Sequence, residues 1–194
     1  MAERTEEDLV RDLLHLVGED PHREGLRETP HRFLKAWKHY CSGYSQTAAQ
    51  VLKTFEDGAE RCGNEIVLVS NLRVSSSCEH HLAPVWGLAH IGYIPNGKIV
   101  GLSKFQRLVD VYGRRLQVQE RLTNQIADAL WDNLNPLAVG VVLECRHACM
   151  EFRGVSIHGT VTVTSALRGG FKTNDSARAE FLSLVQGASR GAQI

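Results

Sequence analysis

Residues 75–87 read SSSCEHHLAPVWG and set a cysteine, a glutamate and two histidines side by side. Cys78 and His81 have the C-x-x-H spacing of a metal-ligand pair. His80 stands between them, either as one more polar loop residue or as a catalytic group next to a metal. A second cluster, ECRHACM, supplies Cys145, His147 and Cys149. Read as a strand, these alternate residues point to one side. Two cysteines, a histidine and a water make a catalytic zinc sphere, and the third protein ligand is to be sought in this second cluster. A structural site with Cys145 as fourth ligand is the competing arrangement, but it has no use for His80 and His147. The H-x-E with P-C-x-x-C pattern of zinc deaminases is absent, as is the H-E-x-x-H of zincins.

Groups suited to an anion lie elsewhere in the chain. GLSKFQR puts Ser103, Lys104 and Arg107 at the start of a helix, where free N–H groups and the helix dipole favour negative charge. Arg153 follows the second cluster, and Arg32 with Lys35 forms a third cationic pair. Any one of these is most often plain surface charge; together they suggest phosphate. Gln119 and Glu120 open another helix, in LQVQERLT. A carboxylate there serves the helix dipole, or it reads an N–H/NH2 edge such as that of guanine.

Composition narrows the setting. Lys plus Arg and Asp plus Glu both number 22, so no global field draws the chain to nucleic acid or to a membrane surface. No apolar run reaches the roughly 18 residues of a membrane span. The acidic start MAERTEEDLV lacks a signal core, so a cytoplasmic protein is expected. Five cysteines, Cys62 among them, are an odd number and argue against a disulfide framework.

The elements that must position these residues follow from periodicity. At 194 residues the chain suits one domain with a full core. TEEDLVRDLLHLVGED carries Leu9, Val10, Leu13, Leu14 and Val17 at helical spacing, with Thr5 and Asp8 as a cap and Gly18 as a stop. In ETPHRFLKAWKHYCSGY, Thr29 caps, Pro30 takes the first position, Gly43 ends the helix, and Phe33, Trp37 and Cys41 form a buried stripe. EIVLVSNLRV and VWGLAHIGYIP read as strands, and Asn96-Gly97 signals a hairpin. Two helices follow, with Ser103 and Gln106 as a capping box, then the strands VGVVLECRHACMEFRG and VSIHGTVTVTSAL and a last helix. The order predicts an α+β fold: N-terminal helices over residues 1–60, a ββααββ antiparallel unit with helices on one face over 61–188, and a disordered tail over 189–194.

Taken together the motifs resemble one family, GTP cyclohydrolase I. The likeness is carried by CEHHLAPVWGLAHIGYIPNGKIVGLSKFQRLVDVYGRRLQVQERLTNQIADAL, HACMEFRGV, TVTSALRGGF and REGLRETPHRFLKAW, and it runs over residues 20–181. It implies the tunnelling fold, closed into a barrel on oligomerisation, and hydrolysis of the imidazole ring of GTP. C8 leaves as formate and the product is 7,8-dihydroneopterin triphosphate, the first step of pterin and tetrahydrofolate synthesis. The resemblance implies zinc on Cys78, His81 and Cys149, with Cys145 a bystander. His80 and His147 become the proton-transfer pair, with Ser103 assisting His80. Glu120 holds the guanine N–H edge with help from Gln119. Ser103, Lys104, Arg107 and Arg153 face ribose and triphosphate, and Arg32 and Lys35 reach a phosphate in a neighbouring subunit. An allosteric homodecamer of two pentamers with shared sites is implied, with no nucleic-acid or membrane partner. A regulatory relative that binds GTP or pterin without chemistry is the alternative, and the intact Cys78, His80, His81, His147 and Cys149 argue against it.

Overall fold

The computed structural model describes residues 4–56, 63 and 65–189; Cys62, the expected boundary at residues 60 and 61, and tail residues 190–194 lie outside them. Helix α1 (Glu6–Leu16) starts where the sequence places it, because Thr5 and Asp8 close a reciprocal capping box. Gly18, at φ +86°, follows its end. Of the apolar residues spaced along α1, Val10 alone is buried, while Leu9 and Leu13 remain about half exposed. Helix α2 (Thr29–Tyr40) packs beside α1, with Lys38 Nζ 2.7 Å from Glu6.

Three local expectations for α2 are corrected. Thr29 lies inside the helix, and Glu28 precedes it without a side-chain capping bond. Gly43 does not end the helix but sits in the following 3-10 turn (Ser42–Ser45), where the Val111 and Arg114 carbonyls leave no room for a Cβ. Phe33 and Trp37 stack at 5.8 Å, but no buried stripe results: Phe33 is 40% exposed, and Trp37 and Cys41 are half-buried. That side of α2 is only partly covered.

A short helix α3 (Ala48–Val51) leads to β1 (Thr54–Phe55), which is a strand within the stretch expected to be helical. Strands β2 (Val67–Cys78) and β3 (Pro84–Ile94) pair antiparallel. The hairpin loop is therefore residues 79–83, the CEHH loop itself. Asn96-Gly97 does turn the chain, with Gly97 at φ +69°, but the outgoing β4 (Ile99–Val100) pairs with β1 and not with β3. Val100 N–H donates instead to Tyr93 Oη at 3.2 Å, so a tertiary partner takes the strand that the turn alone would have folded back.

Helix α4 (Ser103–Gly113), the two-residue β5 (Leu116–Gln117) and helix α5 (Gln119–Leu134) follow. The expected capping box at α4 is absent: Gln106 bonds to the Arg73 backbone on both sides at 2.9 Å, which ties α4 to β2. Then come β6 (Ala138–His147), the single helical turn α6 (Ala148–Glu151), β7 (Thr162–Gly169), the turn α7 (Gly170–Thr173) and helix α8 (Asp175–Ser189). The sheet order is β5-β2-β3-β6-β7, antiparallel except for the short β2–β5 pairing.

Alternation along β6 divides the interior. Val139, Val141, Leu143 and Cys145 join Phe105, Leu108, Leu122, Ile126 and Leu130 of α4 and α5 in the main core. Ala138 and Val142 face the other way and pack with Phe171, Phe181 and Val185. Beyond the helices expected on one face, α8 thus covers part of the second face. Gly92 and Gly140 pair directly across β3 and β6, and a Cβ at either would lie within 2.6 Å of the Phe181 ring. The bare glycine floor lets α8 bury Phe181 completely, a contribution of about 2 kcal/mol.

Candidate active site

The CEHH loop is shaped by its backbone. Cys78 N–H donates to the Ala83 carbonyl and Leu82 N–H to the Cys78 carbonyl, both at 2.8 Å. Leu82 takes φ +54° to complete the reversal. Glu79 N–H bonds to the Gln117 carbonyl at 3.1 Å, so β5 also holds the loop. The Glu79 side chain pairs with Arg121 of α5, and that guanidinium holds the carboxyl below its usual range. Arg121 also donates to Gln117 Oε1 at 2.9 Å. The loop is clamped to α5 from outside the metal group.

Cys78, His81 and Cys149 each offer a ligand atom, and these atoms lie within 4.8 Å of one another. His81 Nδ1 is 3.6 Å from Cys78 Sγ. Cys149 arrives differently from expectation. Strand β6 ends at His147, and the helical turn α6 carries Cys149, so the three alternate residues do not share one strand face. Arg146 grips Glu151 with both fork nitrogens, Nε at 2.7 Å, and fixes α6 against β6. Cys145 points into the main core, fully buried and outside the group of three. Burial pushes its thiol up to about 12. The Cys149 thiol is also raised, by burial first and then by its hydrogen bond with Cys78. Two sulfurs and one imidazole nitrogen are the donor set of a zinc-type site with an open fourth position.

Of the two remaining histidines, His80 lies beside this group and His147 stands two residues before Cys149. His80 is exposed, with Nδ1 3.9 Å from Cys78 Sγ and Nε2 3.8 Å from Glu79 Oε1. His147, at the end of β6, places Nε2 2.8 Å from Gln119 Oε1. Burial moves His147 below the usual imidazole range, against the opposing charge of Glu120. Gln119 is buried, and its amide nitrogen meets the Leu143 and Thr162 carbonyls and Thr164 Oγ1. Its N–H groups are spent within the fold, so the side chain has none left for guanine; of the expected pair, Glu120 remains exposed at the helix start.

The cations divide into two sets. Arg153 Nη1 lies 2.9 Å from His81 Nε2, beside the metal group. Ser103, Lys104 and Arg107 occupy the first turns of α4 and, among the described residues, bond to no member of that group. Arg32 and Lys35 lie apart on α2: Arg32 is 74% exposed and pairs with Glu28, and Lys35 lines the cleft between α1 and α2. Sequence reasoning missed Arg121, Thr123 and Thr164 as supports of the site. The only local sign was that Thr123 stands four residues after Gln119 on one helix face.

Three residues that could hold a metal ion, at the hairpin end of a tunnelling-fold sheet, define the class of protein: an α+β enzyme with a candidate metal site. The sequence profile of the family described as GTP cyclohydrolase I matches residues 6–186, and the chain belongs to that family. It is 60% identical to the GTP cyclohydrolase 1 of Janthinobacterium sp. (strain Marseille), over 93% of this chain and 90% of the relative. The GTP cyclohydrolase 1 of Nitrosospira multiformis is 56% identical over 90% of this chain and 91% of its own length. That of Campylobacter jejuni serotype O:6 is 50% identical, over 95% and 96%.

Proposed function

We propose that this chain hydrolyses the imidazole ring of GTP, releases C8 as formate and rearranges the remainder to 7,8-dihydroneopterin triphosphate. It would thereby feed pterin and folate synthesis in the cytoplasm. One observation carries the reading: a group of two sulfurs and a nitrogen within 4.8 Å, with His80 beside it and His147 two residues before Cys149. Cys78, His81 and Cys149 would hold zinc, and the donor set fits that ion better than magnesium or calcium. Bound there, zinc would supply Lewis acidity and a water activated near neutral pH.

The chain's own residues do the rest. Burial lowers the His147 pKa, and the ring would exchange a proton at N7 of the purine. His80, exposed beside Cys78, serves the ribose opening, assisted by Ser103. Glu120 accepts from N1–H and the 2-amino group together, an arrangement that adenine does not offer. Lys104, Arg107 and Arg153 meet the triphosphate. With His81 Nδ1 given to a metal, the ring's one proton sits on Nε2, and Arg153 can no longer donate there; its guanidinium is then free for an anion.

Arg32 and Lys35 act from a neighbouring chain in a homodecamer of two pentamers. Two features support the assembly. Among the described residues the β7 edge has no strand partner and β5 covers only Ser77 and Cys78 of β2, so both sheet edges offer places for another copy. The exposed Leu9, Leu13 and Phe33 also leave the N-terminal helices with apolar surface. Such a ring gives the sites a route to allosteric coupling.

Incubation with GTP, followed by formate release and by fluorescence of the oxidised pterin, tests the reading. Both products are expected, and a zinc chelator should abolish them. GTP bound without formate would instead identify a regulatory relative.

A further inference from the structure

A cavity of about 230 Å3 opens where the ends of β2 and β3 meet α2 and α4. None of Cys78, His81 and Cys149 lines it. Strand β2 supplies Ser75 and Ser77, β3 supplies Pro84 and Trp86, Tyr40 ends α2, and Arg114 caps α4. Ser75 pairs with Trp86 and Ser77 with Pro84, so the two serine side chains share a sheet face with the indole and the proline ring.

The polar groups of this space are fixed but unsaturated. Ser77 is 6% exposed and its backbone is paired with β3 and β5, yet its hydroxyl has no partner among the described residues. Buried hydroxyls are as a rule hydrogen-bonded, so this one calls for a partner from within the cavity. Arg114 is anchored through two of its nitrogens: Nη1 lies 2.7 Å from His39 Nε2, and Nε lies 3.6 Å from Asp110. Its Nη2 has no bond among the described residues, and no carboxylate lines the cavity itself. The apolar wall is rigid as well. Arg146 lies over the Trp86 ring at 5.3 Å and is itself gripped by Glu151. Tyr40, 53% exposed, adds a second aromatic ring.

Size and chemistry together select the ligand. The space lies below the roughly 300–1,000 Å3 of drug-sized sites, so it suits one ring with a short substituent and not a nucleotide. Aromatic walls favour a flat ring. A guanidinium with a free N–H edge and a spare hydroxyl favour a carboxylate on that ring. An ammonium would face Arg114 and find no acidic side chain to receive it. We infer that this cavity is a binding site for a small aromatic carboxylate, with the ring against Trp86 and Tyr40 and the carboxylate on Arg114 Nη2 and Ser77 Oγ. Ser77 directly precedes Cys78, so the ligand would sit at the root of the CEHH loop without entering the metal group.

The test uses the full chain labelled with fluorotryptophan and read by fluorine NMR. The chain has 3 tryptophans, and the Trp86 line is identified by its loss in Trp86→Phe. Phenylacetate should move that line saturably, with a Kd on the order of a millimolar, as suits so few heavy atoms. Benzyl alcohol, which keeps the ring and loses the charge, should bind about tenfold more weakly, and acetate and benzylamine should leave the line in place. Arg114→Gln should weaken phenylacetate by about tenfold, and Ser77→Ala by a smaller factor. Should the Arg114 variant fail to fold, the four probes on the wild type still decide. A Trp86 line that phenylacetate leaves unmoved, as it would be if a neighbouring chain filled the cavity, overturns the inference. Equal binding of benzyl alcohol or benzylamine overturns the carboxylate class, and an unchanged Kd in folded Arg114→Gln overturns the site.

Discussion

The metal end and the α2 cations are held in opposite ways. Cys78, His81 and Cys149 meet within one chain, and each element that carries them is braced by its own pair: Glu79 with Arg121, Arg146 with Glu151. Arg32 and Lys35 stand on a helix of which Pro30 alone is buried, and among the described residues Arg32 pairs with Glu28, one turn away on the same helix. An exposed i,i+4 pair is worth a few tenths of a kcal/mol and fixes nothing. The difference teaches which half of the site a single chain completes. The metal-ligand candidates are brought together by intrachain packing; in the proposed assembly Arg32 and Lys35 would serve a neighbour's site.

The largest effects should come from the finished half. Cys149→Ala removes one of three ligands, and zinc per chain, read by elemental analysis, should fall to background, with kcat down by at least about a thousandfold. Cys145→Ala is the internal contrast. Its thiol lies in the core outside the group, so zinc and turnover should persist while stability drops by about 1 to 2 kcal/mol in urea titration. Metal lost from the Cys145 variant and kept by the Cys149 variant would invert the assignment. Next comes Glu120→Gln: kcat/KM for GTP should fall about a hundredfold, because an amide cannot accept from both guanine donors at once. Unchanged turnover and unchanged rejection of ATP would remove Glu120 from base recognition.

How much of this was legible divides along the same line. Local codes were readable: the Thr5–Asp8 cap, the turn at Gly97, the C-x-x-H pair. What those codes connect to was not. The Asn96-Gly97 turn reverses the chain, but only the three-dimensional neighbourhood hands Val100 to Tyr93 and β1. Strand alternation put Cys149 on a face with Cys145, whereas a single helical turn redirects it to Cys78 and His81. The second covered face rests on Gly92 and Gly140, thirds of a message whose remainder, Phe181, lies far along the chain. The direction of the Gln119 amide depends on two carbonyls and a hydroxyl from β6 and β7, and no local pattern encodes it.

The unfinished half invites a complementation experiment. Arg32→Ala and His147→Ala chains should each be nearly inactive alone. Unfolded together and reassembled at equal amounts, random mixing leaves about one site in four with both intact residues if the site is shared between chains. Activity near a quarter of wild type is the expected reading, measured as pterin fluorescence. No recovery in rings shown by mass spectrometry to be mixed would place Arg32 and His147 in the same chain's site and erase the contrast.

The smallest effect concerns the finished half again and involves no neighbour. His90 is fully buried on the α8 side of the sheet, with Ser189 Oγ 3.4 Å from its Nε2, and its Nδ1 has no partner among the described residues. Burial lowers its pKa from 6.5, against the raising influence of Glu144 on β6. In the unfolded chain the ring titrates at its ordinary value, so below about pH 6.5 the unfolded state holds a proton that the native state refuses. Stability should therefore decline as pH falls from 6.5 towards the native pKa, by up to about 1.4 kcal/mol per pH unit within that window, and should be flat in this respect above it. Protonation of the metal ligands adds its own slope in the same range. A His90→Phe chain shares that contribution and lacks the ring's, so the difference between the two denaturation curves isolates His90. Wild type should lose more stability than His90→Phe between pH 7 and pH 5.5. Equal slopes would show that native His90 takes up its proton as readily as the unfolded chain does, and that α8 covers the ring less tightly than it covers Phe181.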